Sequence, residues 1–287
     1  MPLHGQDARA AVPPFGSPAC VVFAFFPAMT TPTTRARRVF LFFVTLAAGR
    51  LCAQMTETPQ TVAPGKLLVE IDGLSLSFDR ADAAGNKYTG IAVASTIVTA
   101  GLTDSVDLQI GADLFLKNTY EFRGVRDSQS GLGDLYFRTK WTFWRDEKRG
   151  AALAILPYVK VPANTGGVGN DSVEGGIIVP WEMKTAAGFT TGAMFQWDHV
   201  RNHDNNGYDA HWHLTGYAQR DLTKSFGVYG EAAFSAASTG LSHWAGSIGV
   251  GALLQVTKSV QLDYELQRGL NSRATDWTHV FRVYWEW

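Results

Sequence analysis

The densest group of chemistry-capable side chains is His199, His203, Asp204, Asp209, His211 and His213. Histidines two apart on a strand share a face, and with a loop carboxylate they suit a transition metal. No third ligand stands at a fixed spacing, so His211 and His213 are weak metal candidates only. A place on the polar face opposite Trp212 and Leu214 explains them better, and no metal is expected. Ser242 and His243 are adjacent, but neighbours in an extended chain point to opposite faces and cannot meet as nucleophile and base. No catalytic residue is assigned and no enzyme is expected. The run Pro162 to Asn170 is glycine-rich yet lacks the Gly-Lys-Ser/Thr of a phosphate loop, and it precedes a strand instead of a helix. Cys20 and Cys52 are the two cysteines. They give neither a disulfide scaffold nor a zinc spacing, and no cofactor is expected.

The elements that would position these groups follow from composition and pattern. Of 287 residues 46% are hydrophobic and 18% charged, which excludes a disordered chain. The net charge is −1, with no basic run beyond Arg35 to Arg38, so nucleic acid is not a partner. Arg35, Arg37 and Arg38 precede the apolar run Val39 to Ala48, and Ala53 follows as a small residue: the order of a cleaved secretory signal. The run is too short for a spanning helix of about 20 residues. Residues 29–53 therefore read as a signal peptide starting at Met29, residues 1–28 as an upstream extension that is not translated, and 54–66 as a short periplasmic lead. Arg50 and Leu51 before Cys52 argue against a lipid-acceptor cysteine. Residues 1–53 contain five of the 25 bases and one of the 26 acids, so the remainder is acidic by five charges.

Beyond residue 66 the apolar period is two. Val106, Leu108, Ile110, Leu114 and Leu116 oppose Asp107, Gln109, Gly111 and Asp113, an alternation broken only by Phe115. Leu135, Phe137, Thr139, Trp141 and Phe143 oppose Tyr136, Arg138, Lys140 and Thr142. Similar runs follow at 189–197, 228–234, 244–256 and 262–267. Residues 67–78 change phase around Gly73, which predicts a bulge, and 151–161 alternate poorly around Pro157. These runs span about ten to twelve residues, what a tilted strand needs to cross a bilayer, whereas strands of soluble sandwiches average about five or six. Connections alternate between long polar segments (79–88, 117–133, 162–171, 198–209, 237–243, 268–276) and short ones. Three short turns are near copies: Thr103-Asp104-Ser105, Thr223-Lys224-Ser225 and Thr257-Lys258-Ser259, each suited to a hydroxyl-capped turn.

The pattern predicts an all-β fold, a transmembrane antiparallel up-and-down β-barrel over 67–287. About twelve strands are expected, within a range of ten to fourteen, with both termini periplasmic and long loops outside. The final strand alternates Phe281, Val283, Trp285 and Trp287 with Arg282, Tyr284 and Glu286; such an edge is stable when it closes a sheet, so the C-terminal strand is expected to seal the barrel. Trp141, Trp144, Trp181, Trp197, Trp212, Trp244 and Trp277 fall mostly near strand ends, as an aromatic girdle would. With the apolar parity toward lipid, the lumen receives Asp107, Asp113, Arg138, Lys140, Glu174, Glu231, Asp263, Glu265, Arg282 and Glu286. This set forms either a polar conduit or a self-neutralising filling, since twelve strands lie between packed and open barrels. Loops 117–133 and 162–170 are expected to act as lids over the external mouth.

The segment Gly131-Leu132-Gly133-Asp134-Leu135 with Lys140 carries a family resemblance. So does the stretch from Leu262-Asp263 through Arg268-Gly269-Leu270-Asn271 to Asp276 and the aromatic last strand. Over residues 66–287 the chain resembles the transporter-like outer-membrane family labelled "putative meta-pathway of phenol degradation", although a final Trp stands where Phe is usual. The resemblance implies a porin-like channel or transporter for passive passage or binding of small solutes, hydrophobic or aromatic ones among them, in the outer membrane of a Gram-negative-type bacterium. Its partners would be outer-membrane lipid, the small-molecule solute and, through the C-terminal strand, the barrel-assembly machinery. The alternative is a structural or surface-recognition barrel without transport, or less plausibly a barrel-embedded hydrolase.

Overall fold

The computed structural model describes residues 55–81, 85–122, 124–169, 171–202, 206–238 and 244–287. The expected signal peptide and upstream extension, His203, Asp204 and the Ser242-His243 pair lie outside the described residues. Among the described residues thirteen strands follow one another: β1 (Leu67–Phe78), β2 (Lys87–Thr103), β3 (Val106–Phe122), β4 (Val125–Gly131), β5 (Leu135–Asp146), β6 (Ala151–Val161), β7 (Glu174–Lys184), β8 (Phe189–Arg201), β9 (Tyr208–Asp221), β10 (Phe226–Ala237), β11 (Ala245–Gln255), β12 (Val260–Gly269) and β13 (Trp277–Glu286). Twelve of them close into an antiparallel ring, because β1 pairs with both β2 and β13 and β3 pairs with both β2 and β5. The C-terminal strand seals the cylinder, with Leu68 opposite Glu286 and Phe78 opposite Trp277.

β4 is the thirteenth strand, where sequence reading expected a loop. It pairs only with the outer end of β3, Phe122 opposite Val125 and Leu116 opposite Gly131, and forms a hairpin standing beyond the ring. Most side chains of this hairpin are exposed or half-buried, so both of its faces are polar and no alternation marks it. Cross-strand pairs such as Thr119 with Ser128, whose hydroxyls are 3.1 Å apart, hold it instead.

The period-two reading corresponds to outward and inward faces. Leu108, Ile110, Phe137, Trp141, Val250, Leu254, Phe281 and Trp285 are exposed on the outside, while Asp107, Gln109, Arg138, Lys140, Asp263, Glu265 and Arg282 are buried inside. An apolar exterior over a polar interior is stable only if the exterior meets hydrocarbon. The expected bulge falls at Gly73, where the register with β13 shifts between Asp72 and Leu74. Ala94 on β2, at φ 54°, accommodates the same irregularity. Pro157 interrupts the ladder between β5 and β6, because it has no N–H to donate. In the turn copies, Thr223 Oγ1 accepts from the Ser225 and Phe226 amides, and Thr257 Oγ1 from those of Ser259 and Val260.

Candidate functional site: a lumen filled by the chain's own lead

Nine of the ten expected lumen residues are buried on the inward face: Asp107, Asp113, Arg138, Lys140, Glu174, Glu231, Asp263, Glu265 and Arg282. Glu286 is corrected: it shares the inward parity of Arg282 and Tyr284 but falls at the periplasmic rim, where its side chain is exposed. The lumen also receives Asp72, Glu182 and Asp198, which weaker alternation concealed.

The larger correction concerns the lead. Instead of lying below the barrel, residues 55–62 run up inside it. At its base Thr61 Oγ1 donates to the Asp104 carbonyl, and the Val62 amide donates to Asp107 Oδ2 at 3.2 Å. One turn further in, Lys140 Nζ donates to the Gln60 carbonyl at 3.1 Å, and Thr142 donates to that of Pro59. Glu182 accepts from Thr58 Oγ1, Gln60 Nε2 and the Tyr217 hydroxyl. Glu57 pairs with Arg138 and lies 3.8 Å from Lys140 Nζ. At the inner end Glu231 accepts the Met55 and Thr56 amides at 2.9 and 2.7 Å, together with the Thr56 hydroxyl. Pro59 lacks an N–H and threonine is a poor helix former, so the segment has no helical ladder and its polar atoms seek wall partners. Gly101 makes room for the entry of the lead, since a Cβ there would stand 2.3 Å from the Ala63 carbonyl oxygen.

Two further groups of inward charges are held by wall side chains. Arg282 bridges Asp72 at 2.8 Å with Asp263 and Glu265, both at 3.2 Å, and the Tyr229 hydroxyl donates to Asp263. Toward the external end Asp198 accepts from the Tyr158 hydroxyl at 2.7 Å and from Gln196, and stands 2.9 Å from His213 Nε2. The histidine pair thus divides its contacts: His213 faces a carboxylate in a hydrogen-bonded network, and His211 is half-buried beside it. Among the described residues no group of three His, Cys, Asp or Glu side chains is arranged to hold a metal.

At the external mouth the glycine-rich segment docks onto the β3–β4 region. The Thr165 amide donates to the Leu132 carbonyl, and Thr165 Oγ1 accepts from the Leu132 amide, both at 3.0 Å. Asp134 accepts from Asn164 Nδ2 at 2.6 Å and pairs with Lys160 at 3.2 Å; Lys160 also pairs with Glu174. Gly166, at φ +65°, lies so close that a Cβ would stand 2.0 Å from the Ser130 carbonyl oxygen.

The fold is that of outer-membrane β-barrels. An outer membrane channel from Pseudomonas putida F1 superposes with a TM-score of 0.61 at 13% identity, covering 79% of this chain and 97% of that one. The NanC porin (TM-score 0.48, 10% identity, 74% and 98% covered) and the CymD monoaromatic hydrocarbon channel (0.45, 7%, 78% and 88%) are more distant. No curated protein matches the chain. The model of the family described as "Putative MetA-pathway of phenol degradation" matches residues 53–287, and the chain belongs to that family.

Proposed function

We propose that the protein is a passive outer-membrane channel for small solutes, gated by residues 55–62. The observation that carries this reading is the placement of that segment: it fills the periplasmic half of the lumen, held chiefly by hydrogen bonds and ion pairs, with Val62 packed at its base in a buried cluster with Leu68, Tyr229, Leu253 and Tyr284. Neutral hydrogen bonds exchange for water at a net cost of about 0.5–1.5 kcal/mol each and charged ones at about 1.5–3 kcal/mol, and the strand ladders of the wall do not depend on them, so the segment can leave without unfolding the wall. The inner surface that remains combines tyrosine rings (Tyr158, Tyr217, Tyr229) with carboxylate acceptors, which suits small aromatic solutes bearing a hydroxyl. The family's description agrees with such a solute. In this reading the protein performs no catalysis, residues 1–53 are removed on export, and the β13 edge is what the assembly machinery handles before closure.

Planar-bilayer conductance of the exported chain, with and without residues 55–62, tests the proposal. A low conductance that rises severalfold on deletion supports it. Barrels that stay folded on gels yet conduct nothing in either form would favour the structural alternative.

A further inference from the structure

We propose that the outer wall of the barrel carries, at its external end, a binding groove for an anionic glycolipid of the outer leaflet. The groove is about 580 Å³ and opens on the lipid-facing side of β6–β9, bordered by Val159, Val173, Ile177, Trp197, His199 and Tyr208. Its volume falls within the roughly 300–1,000 Å³ usual for ligand sites. It exists because the outward row Val159–Gly175–His199 lacks a side chain at its centre. A Cβ at Gly175 would stand 2.6 Å from the Tyr158 carbonyl oxygen, so the backbone excludes any side chain from the floor.

The outward positions of β8 grade from hydrocarbon to headgroup chemistry: Phe195, Trp197, His199 and Arg201. His199 stacks on Tyr208 with centroids 4.4 Å apart and planes at 7°, and the Arg201 guanidinium lies 5.2 Å over the other part of that stack, the Tyr208 ring. Arg201 is itself fixed by its backbone, whose amide donates to Glu174 Oε1 at 2.7 Å. A guanidinium held at the top of an apolar, aromatic-walled groove recognises a phosphate attached to an acyl chain. Glu174 borders the groove but is turned inward, paired with Lys160. The occupant is a lipid and not a solute on its way inward, since the paired strands β6, β7 and β8 close the wall behind the groove at Gly175.

Native mass spectrometry of the folded, detergent-solubilised chain, titrated with lipid A and separately with phosphatidylcholine of matched acyl length, tests this. Expected is one tightly retained lipid A per barrel in preference to phosphatidylcholine. Arg201→Gln should weaken lipid A about tenfold, as loss of a charged hydrogen bond does. Val173→Trp, which fills the groove, should weaken both lipids. Wild-type protein with no preference for lipid A overturns the proposal, as does retention unchanged in both variants. Heat-dependent gel migration shows that each variant has folded, and the wild-type comparison decides the matter even if one variant has not.

Discussion

Arg138 is 4% exposed on the inward face of β5, and Glu57 is the carboxylate it meets among the described residues. Stripping a buried guanidinium of its partner costs about 3–5 kcal/mol when the surroundings cannot relax. Here they can, because Glu57 sits on a segment that leaves the lumen and admits water. Glu57→Gln is therefore expected to release the lead, raising conductance toward that of the chain lacking residues 55–62, while the folded barrel keeps its gel migration. A large loss of thermal stability with no change in conductance would mean that the lead is a fixed structural filling. A second residue-scale expectation concerns the external corner between β1 and β13. The Arg80 backbone amide and guanidinium both donate to Asp276 Oδ2, at 2.9 and 3.2 Å, and hold its carboxyl below the usual range, the amide bond being the larger cause. A carboxyl with a depressed folded value contributes stability that is present above its unfolded value of about 3.9 and is lost as pH falls through the folded one. Carboxyl NMR titration of Asp276 should show the low value and, in Arg80→Ala, only a small upward shift, because the backbone amide bond is kept and the guanidinium alone is lost.

Among the elements, the twelve wall strands were legible because one of their faces meets lipid. Leu67, Val69 and Ile71 hand over to Leu74, Leu76 and Phe78 at Gly73, and the phase change alone located the bulge. Where both faces are wet this information vanishes, which is why the β3–β4 hairpin carries no strand signal in the sequence and nothing marks the lead for the lumen. Thr56, Thr58 and Gln60 are polar whether they lie in periplasm or barrel; their partners are up to 175 residues away in sequence. Nine of the ten candidates taken from inward parity are buried, while Glu286 is exposed because parity does not say where a strand leaves the wall. The docked segment 162–167 is the element whose function is most open to test. Its contacts include the Leu132–Thr165 pair and the bonds that Asp134 accepts from the Ala163 amide and Asn164, while Asp134 also pairs with Lys160 of β6. The Leu132–Thr165 bonds are exposed, and although Asp134 is buried, Lys160 keeps Glu174 as a partner when Asp134 is lost, so removing these contacts should spare the barrel. Asp134→Ala combined with Thr165→Ala should speed proteolytic nicking of this segment severalfold and widen solute access, read as faster vesicle uptake of a small phenol. Nicking at the wild-type rate would show that the docking is held elsewhere.

Across the whole molecule the inward charges do not balance. Ten carboxylates and three basic side chains are buried among the described residues, and the bases Arg138 and Lys140 sit together on β5 while Arg282 is spent on three acids of its own. While the lead is in place it offsets part of this excess: its amides and hydroxyls occupy Glu231, Glu182 and Asp107. Once it departs, those carboxylates face the pathway with fewer donors, and Glu57 leaves with it. A cation entering the vacated space supplies the missing positive charge, whereas an anion meets repulsion from most of the wall. The open channel should therefore prefer potassium over chloride, measured as a reversal potential in a salt gradient on the chain lacking residues 55–62. Because the screening length falls from about 10 Å at 0.1 M to about 3 Å at 1 M, the preference should shrink steeply across that range. Glu182→Gln with Glu231→Gln should reduce it further at low salt without altering the conductance at high salt. Anion preference at low salt would mean that the carboxylates remain fully engaged by wall donors and that the basic patch on β5 governs the pathway instead.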